Sequence, residues 1–217
     1  MGVLSRTWKR YRARKSLKGI VLDFAFLAVV IILAIAPLRR AFMTGILRMA
    51  LVQPEVYEPM VFLTERDNVG LLTSDGRDTS LTFPPARPTL INTCSPWSAQ
   101  SRAELRSMAK AAETWTGMDF ILIVEPNEAE EMASYLSRRG YSKLHLMVFR
   151  PATDETMDMG EAGLRDELRH SVPATIVVDA AGQVIAKKTG AARWTGITAD
   201  KVLKMAMEGD TALPKNE

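Results

Sequence analysis

Two serines and the single cysteine of the chain lie close together and are the first residues to consider for chemistry. Ser98 and Ser101 are separated by two residues, and Cys94 lies four residues before Ser98. A serine hydroxyl needs a neighbouring base to become a nucleophile, and Ser98 has no adjacent histidine. Serine is, by contrast, well suited to the N-cap of a helix. We therefore predict that Ser98 begins a helix and does not attack a substrate.

The number of cysteines and histidines restricts the chemistry further. One cysteine excludes an intramolecular disulfide, and His145 and His170 are the only histidines. We predict no metal site and no cofactor, because zinc and haem sites need more such ligands. Two interpretations of Cys94 are open: a buried structural cysteine, which is the commoner situation, or a reactive thiol that works alone through a mixed disulfide.

Most of the positive charge is concentrated at the N-terminus. Seven of the 28 lysines and arginines precede residue 19, where no acidic residue occurs. Beyond that point 21 lysines and arginines face 25 acidic residues, a charge of about −4. The body also lacks the basic, aromatic-interleaved patch that is typical of nucleic-acid-binding proteins, so nucleic acid is not a predicted partner.

Residues 19–38 are almost wholly apolar and predict a membrane anchor. At about 1.5 Å of rise per residue, a helix of this length crosses a hydrocarbon core of roughly 30 Å. The cations before it outnumber the three arginines between residues 39 and 48, which predicts a cytoplasmic N-terminus. We expect the basic tail 1–18 and the anchor to bind membrane lipids. The following domain would then lie in the periplasm, at a bacterial inner membrane.

Two features of this region have alternative interpretations. The small-x-small pattern Ala34-Ile35-Ala36 is typical of signal-peptide cleavage, although Pro37 directly after it opposes cleavage and favours an uncleaved anchor. Residues 39–60 are predicted to be a juxtamembrane segment and linker. Within it, residues 41–52 could lie along the membrane interface, could bind a partner helix, or could continue the anchor helix.

The remaining pattern predicts an α/β domain over residues 61–208, followed by a loose tail at 209–217. Apolar and β-branched runs predict strands at 69–73, 79–83, 89–93, 119–124, 144–149, 174–179 and 183–188. Helical spacing predicts helices from Ser98, from Asn127, over 161–169 and over 198–208. This alternation of strands and helices implies a parallel sheet covered by helices.

The helix after residue 124 carries a specific prediction about its start and its buried face. Asn127 with Glu130 three residues later forms a capping-box pattern, so Asn127 is expected to be the N-cap. Met132, Ala133 and Leu136 are expected to face the core.

Residues 90–104 read Leu-Ile-Asn-Thr-Cys-Ser-Pro-Trp-Ser-Ala-Gln-Ser-Arg-Ala-Glu. They resemble the segment Leu-Val-Asn-Phe-Trp-Ala-x-Trp-Cys-x-x-Cys-Arg-x-Glu of the membrane-anchored thioredoxins of the TlpA/ResA type, with Ser98 and Ser101 in place of the two cysteines. This is the first of three segments that resemble these proteins in the correct order. Residues 172–175, Val-Pro-Ala-Thr, resemble Val-Pro-Thr-Thr, whose proline is cis and faces the active site. Gly190 and Trp194 resemble a Gly-x-x-x-Trp motif after the last strand.

The resemblance implies a thioredoxin-like fold, a central mixed sheet flanked by helices and preceded by one transmembrane helix, without dithiol chemistry. The implied function is protein binding, as a chaperone or assembly module in respiratory or membrane-complex maturation such as cytochrome c biogenesis. The predicted contact face consists of Trp97, Ser98, Ser101, Pro173 and Trp194. Trp97 and Trp194 could instead be ordinary packing residues.

Two other functions are open. The chain could be a thiol-disulfide oxidoreductase that uses Cys94 alone, or a structural subunit of a membrane complex. The sequence also does not distinguish natural serines from serines engineered in place of a reactive cysteine pair.

Overall fold

A seven-stranded mixed sheet dominates the computed structural model, which describes residues 16–57, 60–150 and 172–209. The strands are β1 (Val69–Thr73), β2 (Asp78–Leu81), β3 (Thr89–Thr93), β4 (Asp119–Val124), β5 (His145–Phe149), β6 (Ala174–Val178) and β7 (Val184–Thr189). Their order across the sheet is β2-β1-β5-β4-β3-β6-β7. The three central strands β3, β4 and β5 are parallel, and every other pairing is antiparallel.

Five α-helices accompany the sheet in the described residues. They are α1 (Leu17–Ala34), α2 (Ala36–Ala50), α3 (Ala99–Thr114), α4 (Ala129–Arg139) and α5 (Ile197–Glu208). Short 3-10 turns at Glu65–Asp67 and Pro126–Glu128 precede β1 and α4.

The sheet has a buried cluster of side chains on each face. Successive residues of a strand point to opposite faces, and the neighbours Leu90 and Ile91 of β3 accordingly belong to different clusters. The cluster of Leu90 contains residues of α3, α4 and α5, such as Met108 and Leu203. All five residues of β3 are buried, and the side chains of its three polar residues, Thr89, Asn92 and Thr93, form hydrogen bonds there.

The predicted elements of the domain agree with the structure except at α4. Asn127 lies in the 3-10 turn before this helix, and the N-cap is Glu128, which makes no side-chain capping bond. Ala133 is exposed, while Tyr135 is buried with Met132 and Leu136. The capping-box prediction is wrong because Pro126 sets up a 3-10 turn before the α-helix begins. The predicted helix at 161–169, His170 and most of the predicted tail at 209–217 lie outside the described residues.

The chain divides into two compact units, residues 1–45 and 46–217. In the first, Ser16 Oγ caps α1 by accepting a hydrogen bond from the Gly19 amide, and the helix ends at Ala34 with Ile35 as its C-cap. Proline lacks an amide hydrogen, so Pro37 is suited to the first turn of a new helix but not to the continuation of α1.

A helix that spans a membrane must be both long enough and apolar enough. No single helix of the described residues meets both requirements. Two consecutive stretches, Leu17–Ile32 and Ala36–Ala50, meet them only as a pair, and they are bent by 102° relative to each other.

The second unit begins at Ile46, earlier than the predicted domain start at residue 61. The predicted linker is hydrogen-bonded to the rest of this unit: the Tyr57 amide donates to Ile185 O of β7 at 2.8 Å, and Val52 O accepts from the Arg193 amide at 2.8 Å. Much of this linker is therefore part of the domain.

Gln53 supplies a helix cap from outside the helix. The N-cap of α5 is Gly196, which has no side chain to accept a hydrogen bond. Gln53 Oε1 accepts instead from the amides of Thr198 at 2.8 Å and Ala199 at 3.2 Å. The free N–H groups at a helix start need such acceptors. These hydrogen bonds therefore connect Gln53, which precedes the sheet in the chain, to the last helix.

Candidate functional site

Ser98 is the N-cap of α3, as the sequence predicts. Its backbone is extended, with φ −75° and ψ 121°, and its Oγ accepts a hydrogen bond from the Ser101 amide at 3.2 Å. The first backbone bond of the helix runs from the Arg102 amide to Ser98 O at 3.1 Å. The hydroxyl is half-buried and lies where the amide groups and dipole of the helix favour negative charge.

Ser101 lies one turn further along and is fully buried. Its Oγ accepts a hydrogen bond from the Ser95 amide at 3.2 Å, and the Ser95 hydroxyl donates to Glu128 Oε1 at 2.7 Å. In the described part of the chain, neither the Ser98 nor the Ser101 hydroxyl is bonded to a base. Both serines thus hold the turn before α3, and neither is activated as a nucleophile.

Pro173 lies at the same edge of the sheet as this turn. The last residue of β3, Thr93, pairs with the first residue of β6, Ala174, so Pro173 is beside the segment that leads to Ser98. The Val172–Pro173 bond is cis, and Pro173 itself is buried. The topology therefore brings together the two segments that the sequence predicts to form one face.

Only part of the predicted contact face is accessible. Trp97 is 52% exposed and Ser98 is half-buried, whereas Ser101 and Pro173 are buried. Val172, which is 45% exposed, was not among the predicted residues. The accessible surface at this edge is thus formed by Trp97, Val172 and, in part, Ser98.

Trp194 requires a correction. It is 0% exposed and belongs to the core cluster that contains α3 and α5. Its indole ring is not available to a partner, so the packing interpretation replaces the contact-face interpretation for this residue.

Cys94 lies at the end of β3 and is 2% exposed. Its amide donates to Ile123 O at 3.1 Å. Burial raises the pKa of the thiol well above its ordinary value, and the nearby carboxylates of Glu104 and Glu128 raise it further. A reactive cysteine needs the opposite environment, exposed and electropositive, so this site favours a neutral structural thiol.

Glu104 is the residue of this region to which the sequence analysis assigned no role. It lies on the buried face of α3 and is 0% exposed. Its Oε1 accepts hydrogen bonds from Trp194 Nε1 at 2.7 Å, from the Ala192 amide at 3.2 Å and from Thr175 Oγ1 at 3.2 Å. Its Oε2 accepts from Asn92 Nδ2 at 3.2 Å. One carboxyl group therefore links α3 to β3, β6 and the loop after β7.

Burial dominates the proton affinity of Glu104. It raises the pKa from its ordinary value of 4.5 to about 7, although the four hydrogen bonds act in the opposite direction. Asn92 Oδ1 is buried and has no hydrogen-bond partner in the described residues. Turning this amide would present an acceptor to a protonated Glu104. The sequence contained two signals at this position. Glu104 lies between Ser101 and Met108 on the buried face of the helix, and it matches the glutamate of the segment Cys-x-x-Cys-Arg-x-Glu.

The described residues contain no group of three or more histidine, cysteine or acidic side chains that could hold a metal ion.

No protein-family model and no curated protein matches the sequence.

Solved structures do match the chain. They include a thiol:disulfide interchange protein of the thioredoxin family from Chlorobium tepidum TLS, at 21% identity and a TM-score of 0.50, with 66% of this chain and 96% of that chain covered. A protein from Neisseria meningitidis described as a thioredoxin matches at 14% identity and a TM-score of 0.51, covering 69% and 95% of the two chains. The domain has a thioredoxin-like fold. Within this fold, Ser98 and Ser101 occupy the N-cap and the first turn of the helix that follows β3.

A third structure extends the likeness to proteins described as DsbE. The thiol:disulfide interchange protein DsbE from Chlorobium tepidum matches at 10% identity and a TM-score of 0.51, with 69% of this chain and 99% of that chain covered. At these identities the likeness establishes the fold of the thioredoxin-like domain and not its activity.

Proposed function

We propose that this protein is a membrane-anchored periplasmic protein whose thioredoxin-like domain binds another protein without exchanging disulfides. The observation that carries the proposal is the pair Ser98 and Ser101 at the start of α3, in a chain whose one cysteine is buried. Dithiol exchange requires one thiolate to attack and a second thiol to resolve the mixed disulfide. This domain has neither group at the helix start.

Without thiols, the accessible surface at this edge can still hold a polypeptide. Trp97 and Val172 are both exposed at this edge of the sheet and provide apolar contact area. Aromatic residues of this kind are common in the centres of protein interfaces. The proposed partner is therefore a periplasmic or membrane protein that packs on Trp97 and Val172.

The membrane part of the proposal is based on the sequence. The apolar segment 19–38, with the basic tail 1–18 before it, would bind lipids and place the domain in the periplasm. Two of the structures described above are of thiol:disulfide interchange proteins. A role in the assembly of respiratory or other membrane complexes, without the redox step, is the corresponding proposal for this chain.

The alternative of an oxidoreductase that uses Cys94 alone is not favoured. The thiol is 2% exposed and its pKa is raised, so it has neither the access nor the thiolate population that attack requires. A structural subunit differs from a chaperone in having a permanent, stoichiometric partner, which purification from membranes in a mild detergent would detect.

An insulin-reduction assay on the full chain in an uncharged detergent tests the absence of dithiol exchange. With dithiothreitol as reductant, we expect the wild type to leave the background rate unchanged. The double variant Ser98→Cys/Ser101→Cys serves as the positive control and should accelerate the reaction. Turnover by the wild type, lost in Cys94→Ala, would contradict the proposal and support the single-cysteine enzyme.

The binding surface is tested by crosslinking from membranes. A photoreactive residue at position 172 should capture the same partner as one at position 97, because both positions are exposed at the same edge. The matched control is position 113, which is exposed and lies near the other end of α3. Equal capture from all three positions would show that there is no specific surface at this edge.

A further inference from the structure

A cavity of about 210 Å³ lies between three segments of the second compact unit. The end of α2 contributes Arg48, one face of α3 contributes Arg106, Ser107 and Lys110, and the loop after β7 contributes Arg193 and Thr195. Lys110 follows Ser107 by three positions and Arg106 by four, so these residues lie on one side of the helix. None of these groups has been used in the proposed function, and none belongs to the edge at Trp97 and Val172.

The charge of this cavity is opposite to that of the rest of the body. Four of its lining residues are cations, Arg48, Arg106, Lys110 and Arg193, and none is acidic. Beyond residue 18, however, acidic residues outnumber basic ones by 25 to 21. In the described part of the chain none of the four cations forms a salt bridge. Bringing like charges together without a counterion is unfavourable, so the cluster indicates a site for an anion.

Arg193 is held in place by backbone oxygens of the segment that contains Arg48. Arg193 Nη2 donates to Arg48 O at 3.2 Å, and the Arg193 amide donates to Val52 O at 2.8 Å. Arg48 Nε is buried and has no hydrogen-bond partner in the described residues. A buried N–H of an arginine without an acceptor is costly, and this is a second observation that points to a missing acceptor beside the cavity.

We propose that this cavity binds a phosphate group. Guanidinium groups match the oxygens of a phosphate with pairs of parallel hydrogen bonds, and three arginines with one lysine surround the cavity. The Thr195 hydroxyl is available as a further donor. The volume is below the roughly 300–1,000 Å³ of sites for drug-sized ligands, which suits a single anionic group. The phosphate can belong to a free phosphate or monoester, or to the headgroup of a phospholipid.

Isothermal titration calorimetry on the full chain in an uncharged detergent tests this site. Inorganic phosphate and glycerophosphoglycerol, the headgroup of phosphatidylglycerol without its acyl chains, are titrated at constant ionic strength. We expect saturable binding of at least one of them. Tighter binding of inorganic phosphate assigns the site to a free phosphate or monoester, and tighter binding of the diester assigns it to a lipid headgroup.

The variant Arg106→Gln/Lys110→Gln removes two cations from the cavity wall. Both residues are exposed, so the fold should be retained, and the affinity should fall by about tenfold or more. The control Arg138→Gln/Lys204→Gln removes the same charge from exposed positions outside the cavity and should bind like the wild type. An absence of saturable binding, or equal loss in both variants, would overturn the proposal. Neither result affects the outcome of the insulin assay. The phosphate site and the proposed function can therefore be disproved independently of each other.

Discussion

Trp194 Nε1 donates a 2.7 Å hydrogen bond to Glu104 Oε1, and both side chains are 0% exposed. The contact joins the loop after β7 to the buried face of α3. A second link between the same segments runs through Ser107, whose Oγ accepts from the Trp194 amide at 3.1 Å and donates to Glu104 O at 2.8 Å. The position of the loop that carries Arg193 and Thr195 therefore depends on Glu104.

Trp194→Phe should destabilise the protein by about 1–3 kcal/mol, because it removes a hydrogen bond to a buried carboxyl group while retaining an aromatic ring. Denaturant unfolding of the full chain in detergent, followed by circular dichroism, measures the change. Trp97→Phe is the matched control at a position that is 52% exposed, and we expect a change within about 0.5 kcal/mol. Equal effects of the two substitutions would mean that the bond to Glu104 contributes little.

The stability of the domain should decrease as the pH rises from about 4.5 to about 7. The pKa of Glu104 is about 7 in the folded state against an ordinary value of 4.5, so the folded state binds the proton more tightly. The contribution of Glu104 to the stability of the folded state is fully present below its ordinary pKa of 4.5. It is lost as the pH rises through its folded-state pKa of about 7. Unfolding midpoints measured between pH 4 and 8 should show this slope in the wild type and a weaker slope in Glu104→Gln.

Glu113→Gln provides the control for this titration, since Glu113 lies on the same helix and is exposed. Its pH profile should follow that of the wild type. A profile of Glu104→Gln that runs parallel to the wild type across the whole range would show that Glu104 does not take up a proton there.

Ser98→Ala should cost about 1 kcal/mol, because the Ser101 amide loses its acceptor at the start of α3. Ser98→Asp retains an acceptor and places a negative charge at the helix N-terminus, so it should be as stable as the wild type or more so. Chemical unfolding compares the three proteins. If the alanine variant is as stable as the aspartate variant, the Ser98 cap does not contribute to stability.

Cys94 should resist alkylation in the folded protein. The thiol is buried and its pKa is raised, so iodoacetamide at pH 8 should react slowly with the native chain and rapidly in denaturant. Mass spectrometry of time points gives both rates. Fast native alkylation with an apparent pKa below about 8.5 would instead favour the reactive thiol.

Gln53→Met should destabilise the attachment of the segment before the sheet by about 1 kcal/mol. The substitution preserves the length of the side chain but removes the acceptor for the amides of Thr198 and Ala199. Hydrogen exchange at the start of α5 should then accelerate, while Gln53→Glu, which keeps an acceptor, should not show this effect. Unchanged exchange in the methionine variant would contradict the capping role.

Local rules account for the elements that the sequence predicted correctly. After Asp119, β4 is a continuous apolar run, and Ser98 precedes a segment with helical spacing. The short-range pattern of the sequence is therefore sufficient to predict each element. The same rules failed at Asn127, where a 3-10 turn begins at Pro126 and displaces the start of α4. They also failed for Ala133, since the face of a short helix is sensitive to its starting residue.

The sequence alone determined that the chain has one cysteine, an apolar N-terminal segment, and serines at the start of the helix after β3. Only the tertiary structure decided that Trp194 is buried, that Glu104 has a raised pKa, and that Arg48 and Arg193 lie beside the cations of α3. Burial and proton affinity depend on which distant segments come into contact. The spacing of residues along the chain does not contain that information, because the contacts join positions more than eighty residues apart.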